Sequence, residues 1–365
     1  MRCLFIAALI GGVVLTQGCA GLTPDPPLTL EDRIRTVALL EQAKARIARG
    51  NTVIARGELH EAINLSTRGK WLDLIADGHF MLGQLWEMDR NFPGAAEAYG
   101  SAYAASRQLK DPVRGVKILN ALGNLFLDGG LYDRALEASR ETLRLAADSD
   151  ARSRSTAYNN IGEVHRFRGQ HQAALEAYSQ SLKLAREAGL KADTAIILNN
   201  MGVVSLRLGK KEEAQAHYRE ALALAKDQRE SKTVLDALNH LAGLLNEEKR
   251  YGDAVPLAKE AEELGRREKF FPQLAQANLN LGVAAWRSGN LEEGRQRLTE
   301  ALRLFTQVKD PYFIALTKFT LGSLALEAGD RPTAQAALED SVRIFRELKL
   351  SSEASQAESL LKGTR

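Results

Sequence analysis

Cysteine is nearly absent: the 365 residues hold two, Cys3 and Cys19, both close to the amino terminus. No disulfide can staple the body of the chain, whose stability must come from packing alone. Aromatic residues are scarce at 6%, while Ala, Leu, Glu and Arg are plentiful, a mixture that favours helix over sheet. No block of five or more like charges occurs. The 49 basic residues nearly balance the 46 acidic ones, leaving +3 and no strong field toward nucleic acid. Catalytic signatures are missing as well: there is no Gly-rich phosphate loop, no His-Glu-x-x-His and no Gly-x-Ser-x-Gly. The six histidines fall at unrelated positions, so neither metal nor cofactor is expected, and the chain does not read as an enzyme.

The first thirty residues have a separate character. Arg2 precedes an uncharged apolar run, Leu4 to Thr16, with the length of a signal-peptide core and too short to span a bilayer. Leu15-Thr16-Gln17-Gly18-Cys19 resembles a bacterial lipobox, although Thr16 and Gln17 depart from the usual pattern. The resemblance implies that residues 1–18 are a signal peptide and that Cys19 is lipidated. Two or more acyl chains would anchor it stably. A plain secretory signal with an incidental cysteine is the alternative. Residues 19–29 carry three prolines and read as a semi-extended tether. Ala20 stands where aspartate would imply inner-membrane retention, so the resemblance points to an outer-membrane anchor facing the periplasm.

Beyond the tether the chain repeats itself. Leu82-Gly83, Leu122-Gly123, Ile161-Gly162, Met201-Gly202, Leu241-Ala242, Leu281-Gly282 and Leu321-Gly322 recur every 40 residues, with one interval of 39. A period of this size marks a solenoid. Seven residues after each pair, Gly130, Gly169, Gly209, Gly289 and Gly329 are placed to end a helix in the left-handed conformation. Arg90 and Lys249 take that place in two copies, so those two turns are expected to differ. A small residue follows twelve after the first Gly, at Ala95, Ala135, Ala174, Ala214, Ala254, Gly294 and Ala334. Four further on stands Tyr99, Tyr178, Tyr218, Leu298 or Leu338, giving one apolar face of a second helix. Each unit is a helix, a tight turn and an antiparallel helix, and stacked neighbours bury one another's apolar stripes.

This pattern resembles the tetratricopeptide repeat, in a 40-residue form like the longer-helix class. The resemblance implies an all-α, right-handed superhelical α-solenoid over residues 30–350. It comprises seven clear or near-clear repeats behind one degenerate repeat. Residues 351–365 read as a capping helix.

In that family the first helix of each pair lines a concave surface, and its exposed positions transfer here. One column reads Phe80, Asn120, Asn159, Asn199, Asn239, Leu279, Phe319. An amide can hold an extended peptide backbone, which the resemblance implies for these asparagines. Equally, it can bond to a neighbouring repeat as a strut, a role for which Asn160 and Asn200 are the better candidates. Lys117, Asn124, Glu163 and Arg166 fall in a mixed, polar middle, whereas Trp286 and Phe319 fall in an apolar end. That end is either an interaction patch or is covered by the final helix. The expected function is a lipid-anchored scaffold or adaptor in a bacterial envelope assembly. It would bind an extended protein or peptide segment in the concave groove, with no nucleic-acid partner. Two alternatives are an envelope hydrolase or its regulatory subunit, with a site at Glu163 and Arg166, and a self-associating structural spacer.

Overall fold

The computed structural model describes residues 28–148 and 150–364; Cys19, the signal segment and most of the tether lie outside them. The described residues form seventeen helices and no strand. Eight pairs come first: α1 (Leu30–Ala48) with α2 (Thr52–Gly69), α3 (Leu72–Met88) with α4 (Phe92–Leu109), α5 (Pro112–Asp128) with α6 (Tyr132–Leu145). Then follow α7 (Ala151–Phe167) with α8 (His171–Glu187), and α9 (Lys191–Arg207) with α10 (Lys211–Gln228). The last are α11 (Ser231–Glu247) with α12 (Tyr251–Arg267), α13 (Phe271–Arg287) with α14 (Leu291–Gln307), and α15 (Pro311–Glu327) with α16 (Arg331–Glu347). One unpaired helix, α17 (Ser351–Lys362), closes the order. The architecture is an all-α helical-repeat solenoid.

Local chemistry sets the helix ends. Thr29 caps α1 in a reciprocal box with Asp32, whose carboxylate takes the Thr29 backbone N–H at 2.7 Å. Asp111-Pro112 and Asp310-Pro311 each place a carboxylate cap before a proline that needs no hydrogen-bond partner. The sequence expectation for Arg90 and Lys249 is corrected here. Both adopt the left-handed conformation, at φ 57° and 61°, as the glycines of the other turns do. The same closing bond forms in either case, Asn91 N to Trp86 O at 2.8 Å and Gln170 N to His165 O at 2.9 Å.

Six of the turns that follow a second helix repeat the device with a different residue, Lys70, Lys110, Arg229, Lys269, Lys309 and Lys349 being left-handed too, while the α8–α9 turn keeps Gly189. Every described non-glycine residue at positive φ is thus Lys or Arg. A cation is favoured at a helix carboxyl end, which offsets part of the cost of about 1 kcal/mol that a side chain meets there. Replacing Lys269 or Lys309 with Gly should raise stability by about 1 kcal/mol, read as a higher urea midpoint with an unchanged slope. A lower midpoint would show that the cation's attraction to the helix end outweighs the strain.

Within three of the pairs the core is a glycine–tyrosine lock. A Cβ built on Gly162 would lie 2.5 Å from the Tyr178 ring, and one on Gly202 would lie 2.4 Å from that of Tyr218. The glycine admits a ring that is then fully buried, along with its partners at Gly83–Tyr99. Where the ring is missing the glycine is kept against Ser139, Leu298 or Leu338, except in α11–α12, where Ala242 faces Ala258 and both are buried. The repeat of 39 has its own cause. Helix α6 is 14 residues long where most second helices have 17 or 18, and Ala146 leaves it in extended backbone.

Candidate functional site

First helices of successive pairs touch one another along most of the array, whereas second helices make no comparable contact among the described residues. The first helices therefore form the inner side of the curve, and the columns singled out in the sequence lie along it.

The asparagine column is mostly engaged in holding the repeats together. Asn120 donates to the Ser153 carbonyl at 3.4 Å, and Asn160 donates to the Asn124 side chain at 2.7 Å. Asn159 accepts from Asn200 at 3.2 Å, while Asn199 accepts from His240 at 3.0 Å. Between α11 and α13 three amides close the junction at 2.9 Å each. Asn239 donates to the Gln273 carbonyl, Asn246 to that of Asn280, and Asn280 to that of Asn239. The reading of these asparagines as open groove amides is corrected for Asn199 and Asn239, which are buried with their side chains turned to the neighbouring repeat. Phe80 is corrected likewise: it is buried against Tyr99, ring centroids 5.5 Å apart. The reason is geometric: a position three before the close-packed glycine faces the adjacent first helix as much as the groove. Asn160 and Asn200 act as the struts expected of them; His240 and Asn280 were missed although they continue that series at 40-residue intervals, and the bond of Asn246 was missed because Leu206 and Trp286 stand at its equivalent places.

The polar middle is also internally paired. Arg166 binds both Glu163 oxygens, at 2.6 and 3.1 Å, and its guanidinium lies 4.0 Å over the Phe167 ring. Glu163 further accepts the Tyr178 hydroxyl. Burial first, then the adjacent Glu163 charge, push that phenol far above its ordinary range. A carboxylate held by two donors is a poor candidate for a base, so Glu163 and Arg166 are better explained as a brace over the glycine–tyrosine lock. Among the described residues no group of three His, Cys, Asp or Glu side chains is placed to hold a metal.

What faces outward is simpler. Lys117 is exposed, its ammonium 4.5 Å from the Phe80 ring centroid. Asn124 is exposed beside it. Further along, Ile196 keeps 42% of its surface, and Val203, Leu206, Val283 and Trp286 are half-buried. Trp286 is packed down by Gly294, where a Cβ would lie 2.8 Å from the tryptophan Cβ. The far end is partly covered by the chain itself. Leu316 and Phe319 join a cluster with Ala354 and Leu350 as α17 stacks on α16, and Gly363 comes against Leu326. The open apolar surface is therefore centred on Ile196, Val283 and Trp286 rather than Phe319.

Comparison with known proteins agrees with this architecture. A tetratricopeptide-repeat family model matches residues 153–227 and 273–347. The photosystem I assembly protein Ycf3 of Rippkaea orientalis is 36% identical over 93 residues, covering 25% of this chain and 53% of that protein. The chain spans about half or less of the length of the curated relatives it matches. Among solved structures, the apo form of RapI superposes with a TM-score of 0.64 at 14% identity, over 75% of this chain and 98% of that one. A Rap protein complexed with competence and sporulation factor gives 0.57 at 15%, over 91% and 97%. These likenesses establish the fold, and with the family match they support tetratricopeptide repeats as the building unit.

Proposed function

We propose that this tetratricopeptide-repeat scaffold captures an extended protein segment on the inner wall of its curve. The observation that carries the reading is the set of half-exposed apolar side chains on two first helices, Ile196, Val203 and Leu206 on α9 and Val283 and Trp286 on α13, to either side of α11. Apolar side chains left open in this way are costly in water and suit the apolar anchors of an extended chain. Lys117 adds a cation for an acidic residue at one end of the segment. The Rap protein complexed with competence and sporulation factor is a fold precedent for a complex on such an array. In this reading the asparagines keep the wall rigid and the apolar side chains supply affinity, because a preorganised surface loses less entropy on binding.

We further propose that Leu15 to Cys19 direct lipidation of Cys19, so that the array works as an adaptor on the envelope surface facing the periplasm. One experiment separates the two parts. Cells expressing wild type, Ile196→Asp with Lys117→Glu, or Cys19→Ser are labelled with palmitate and cross-linked, and the partners are identified by mass spectrometry. Both groove positions are exposed, so the fold should persist. The groove variant should keep the label and lose the partner by about tenfold or more, the size of an interface hot spot; Cys19→Ser should lose the label. Undiminished partner yield from the groove variant would reject the binding surface. Undiminished label in Cys19→Ser would reject the anchor alone.

A further inference from the structure

At two junctions successive second helices are tied by an equivalent ion pair, whereas at α12–α14 Arg303 takes both oxygens of Glu300 in place of Arg266. Arg186 in α8 meets Glu220 in α10 at 2.6 Å, and Lys226 in α10 meets Glu260 in α12 at 2.7 Å. The equivalent residues at the junction of α4 and α6 are Arg107 and Glu141. There the pair is displaced. Arg144 takes both Glu141 oxygens, at 2.6 and 2.7 Å, and the Tyr103 hydroxyl donates to Glu141 at 3.1 Å. The Arg107 guanidinium is left exposed, acting on Glu141 only as a nearby charge.

Beside it lies a cleft of about 240 Å³, lined by Tyr103, Ser106, Arg107, Lys110, Gly115 and Arg144 together with two carboxylates, Glu141 and Asp111, the latter paired with Arg114 at 2.5 Å. The cleft has a cause in the sequence. Gly115 stands where the other repeats carry Ile75, Arg154, Thr194, Val234, Leu274 and Ile314. At the α12–α13 junction Leu274 fills this place against Gly265. The nearest atoms a Cβ on Gly115 would meet are Ser106 Oγ and Tyr103 Cε2, both at an ordinary 3.5 Å, so the place can take a side chain that the glycine lacks.

We infer that this cleft binds a small organic anion, its carboxylate or phosphate on Arg107 and Lys110 and its aromatic or branched body over Gly115 against the Tyr103 ring. A guanidinium grips such an oxyanion through two parallel hydrogen bonds, and the ring offers a flat apolar wall. Glu141 does not repel the anion strongly, since Arg144 neutralises it at contact distance. The volume suits a fragment rather than a drug-sized molecule. The same chemistry is presented by a free aromatic acid or phosphate and by the terminal carboxylate of a peptide ending in an aromatic residue. The cleft is built from second helices and a helix start, so it operates independently of the inner wall.

The test is a titration of the ¹⁵N-labelled protein with phenyl phosphate, with a pentapeptide ending in Phe, and with inorganic phosphate. Saturable shifts at the Gly115 and Tyr103 amides are expected from phenyl phosphate or the peptide, and the tighter of the two identifies the source. Gly115→Leu, the residue found at 274, should abolish the shifts while the circular dichroism stays unchanged. Arg107→Gln, at an exposed position, should weaken binding about tenfold, as loss of a charge-assisted hydrogen bond does. Absence of saturation with both probes, equal shifts from inorganic phosphate alone, or wild-type binding by Gly115→Leu would overturn the assignment.

Discussion

Gly202→Ala is expected to lower stability by about 1–3 kcal/mol, although alanine is the better helix former by about 1 kcal/mol. The added Cβ would sit 2.4 Å from Tyr218 Cε1 and 2.6 Å from Cδ1. That ring is fully buried and packed between α9 and its neighbours, so it has nowhere to swing. Propensity loses to overpacking. The sign should reverse when the ring is absent. Tyr218→Ala alone leaves a cavity and costs about 3–5 kcal/mol. On that background Gly202→Ala removes no space that anything occupies, and it should stabilise by about 0.5–1 kcal/mol. The protein already contains the end product of this exchange, since Ala242 and Ala258 stand at the two places in the α11–α12 pair. A urea-denaturation double-mutant cycle measures the coupling directly. If Gly202→Ala destabilised equally with and without Tyr218, the lock would not be the reason for the glycine.

The turn glycines, the helical pairs and the recurring places of the glycine and the tyrosine were legible in the sequence, but the packing of the one on the other emerges only from the structure. Arg90 and Lys249 were misjudged for an instructive reason. Residue type suggested a different turn, but the backbone closes the same hydrogen bonds whichever residue stands there. Single-residue preference of about 1 kcal/mol is smaller than the packing of two helices. The asparagine column failed differently. Helical phase locates a residue on a face of its own helix, yet whether that face meets solvent or the next first helix depends on inter-helix distance. At α11 and α13 the helices are close enough for three amide-to-carbonyl bonds, while Ile196 on α9 stays open. The cleft over Gly115 was invisible for a third reason. An ion-pair switch from Arg107 to Arg144 involves residues that look ordinary one at a time and become informative only when junctions are compared.

Acidification should destabilise the array, with His240 as the largest single contributor. His240 takes the rung position that Asn160, Asn200 and Asn280 fill in other repeats, and its Nδ1 donates to Asn199. Its ring lies 5.0 Å from that of Tyr218. Burial holds its pKa below the usual histidine value; Asp236 pulls it back up and Arg166 adds to the lowering. His79 and His217 are lowered by burial too, His79 with help from His60 and against Glu97, His217 against Glu213 and Glu220. In each case the unfolded chain binds the proton more readily than the native one. Stability is therefore complete above the unfolded histidine value of about 6.5 and falls as the pH drops below it, levelling once the native group also protonates. The slope per histidine cannot exceed about 1.4 kcal/mol per pH unit, and since His240, His79 and His217 each keep part of their surface, each contributes less. Urea midpoints measured from pH 8 to pH 5 should trace this decline. His240→Asn supplies the residue used by the other rungs, so its stability at pH 8 should stay within about 1 kcal/mol of wild type while the acid slope flattens. Parallel curves for the two proteins would mean that the native array tolerates a charged His240, and that the rung is not what acid disrupts.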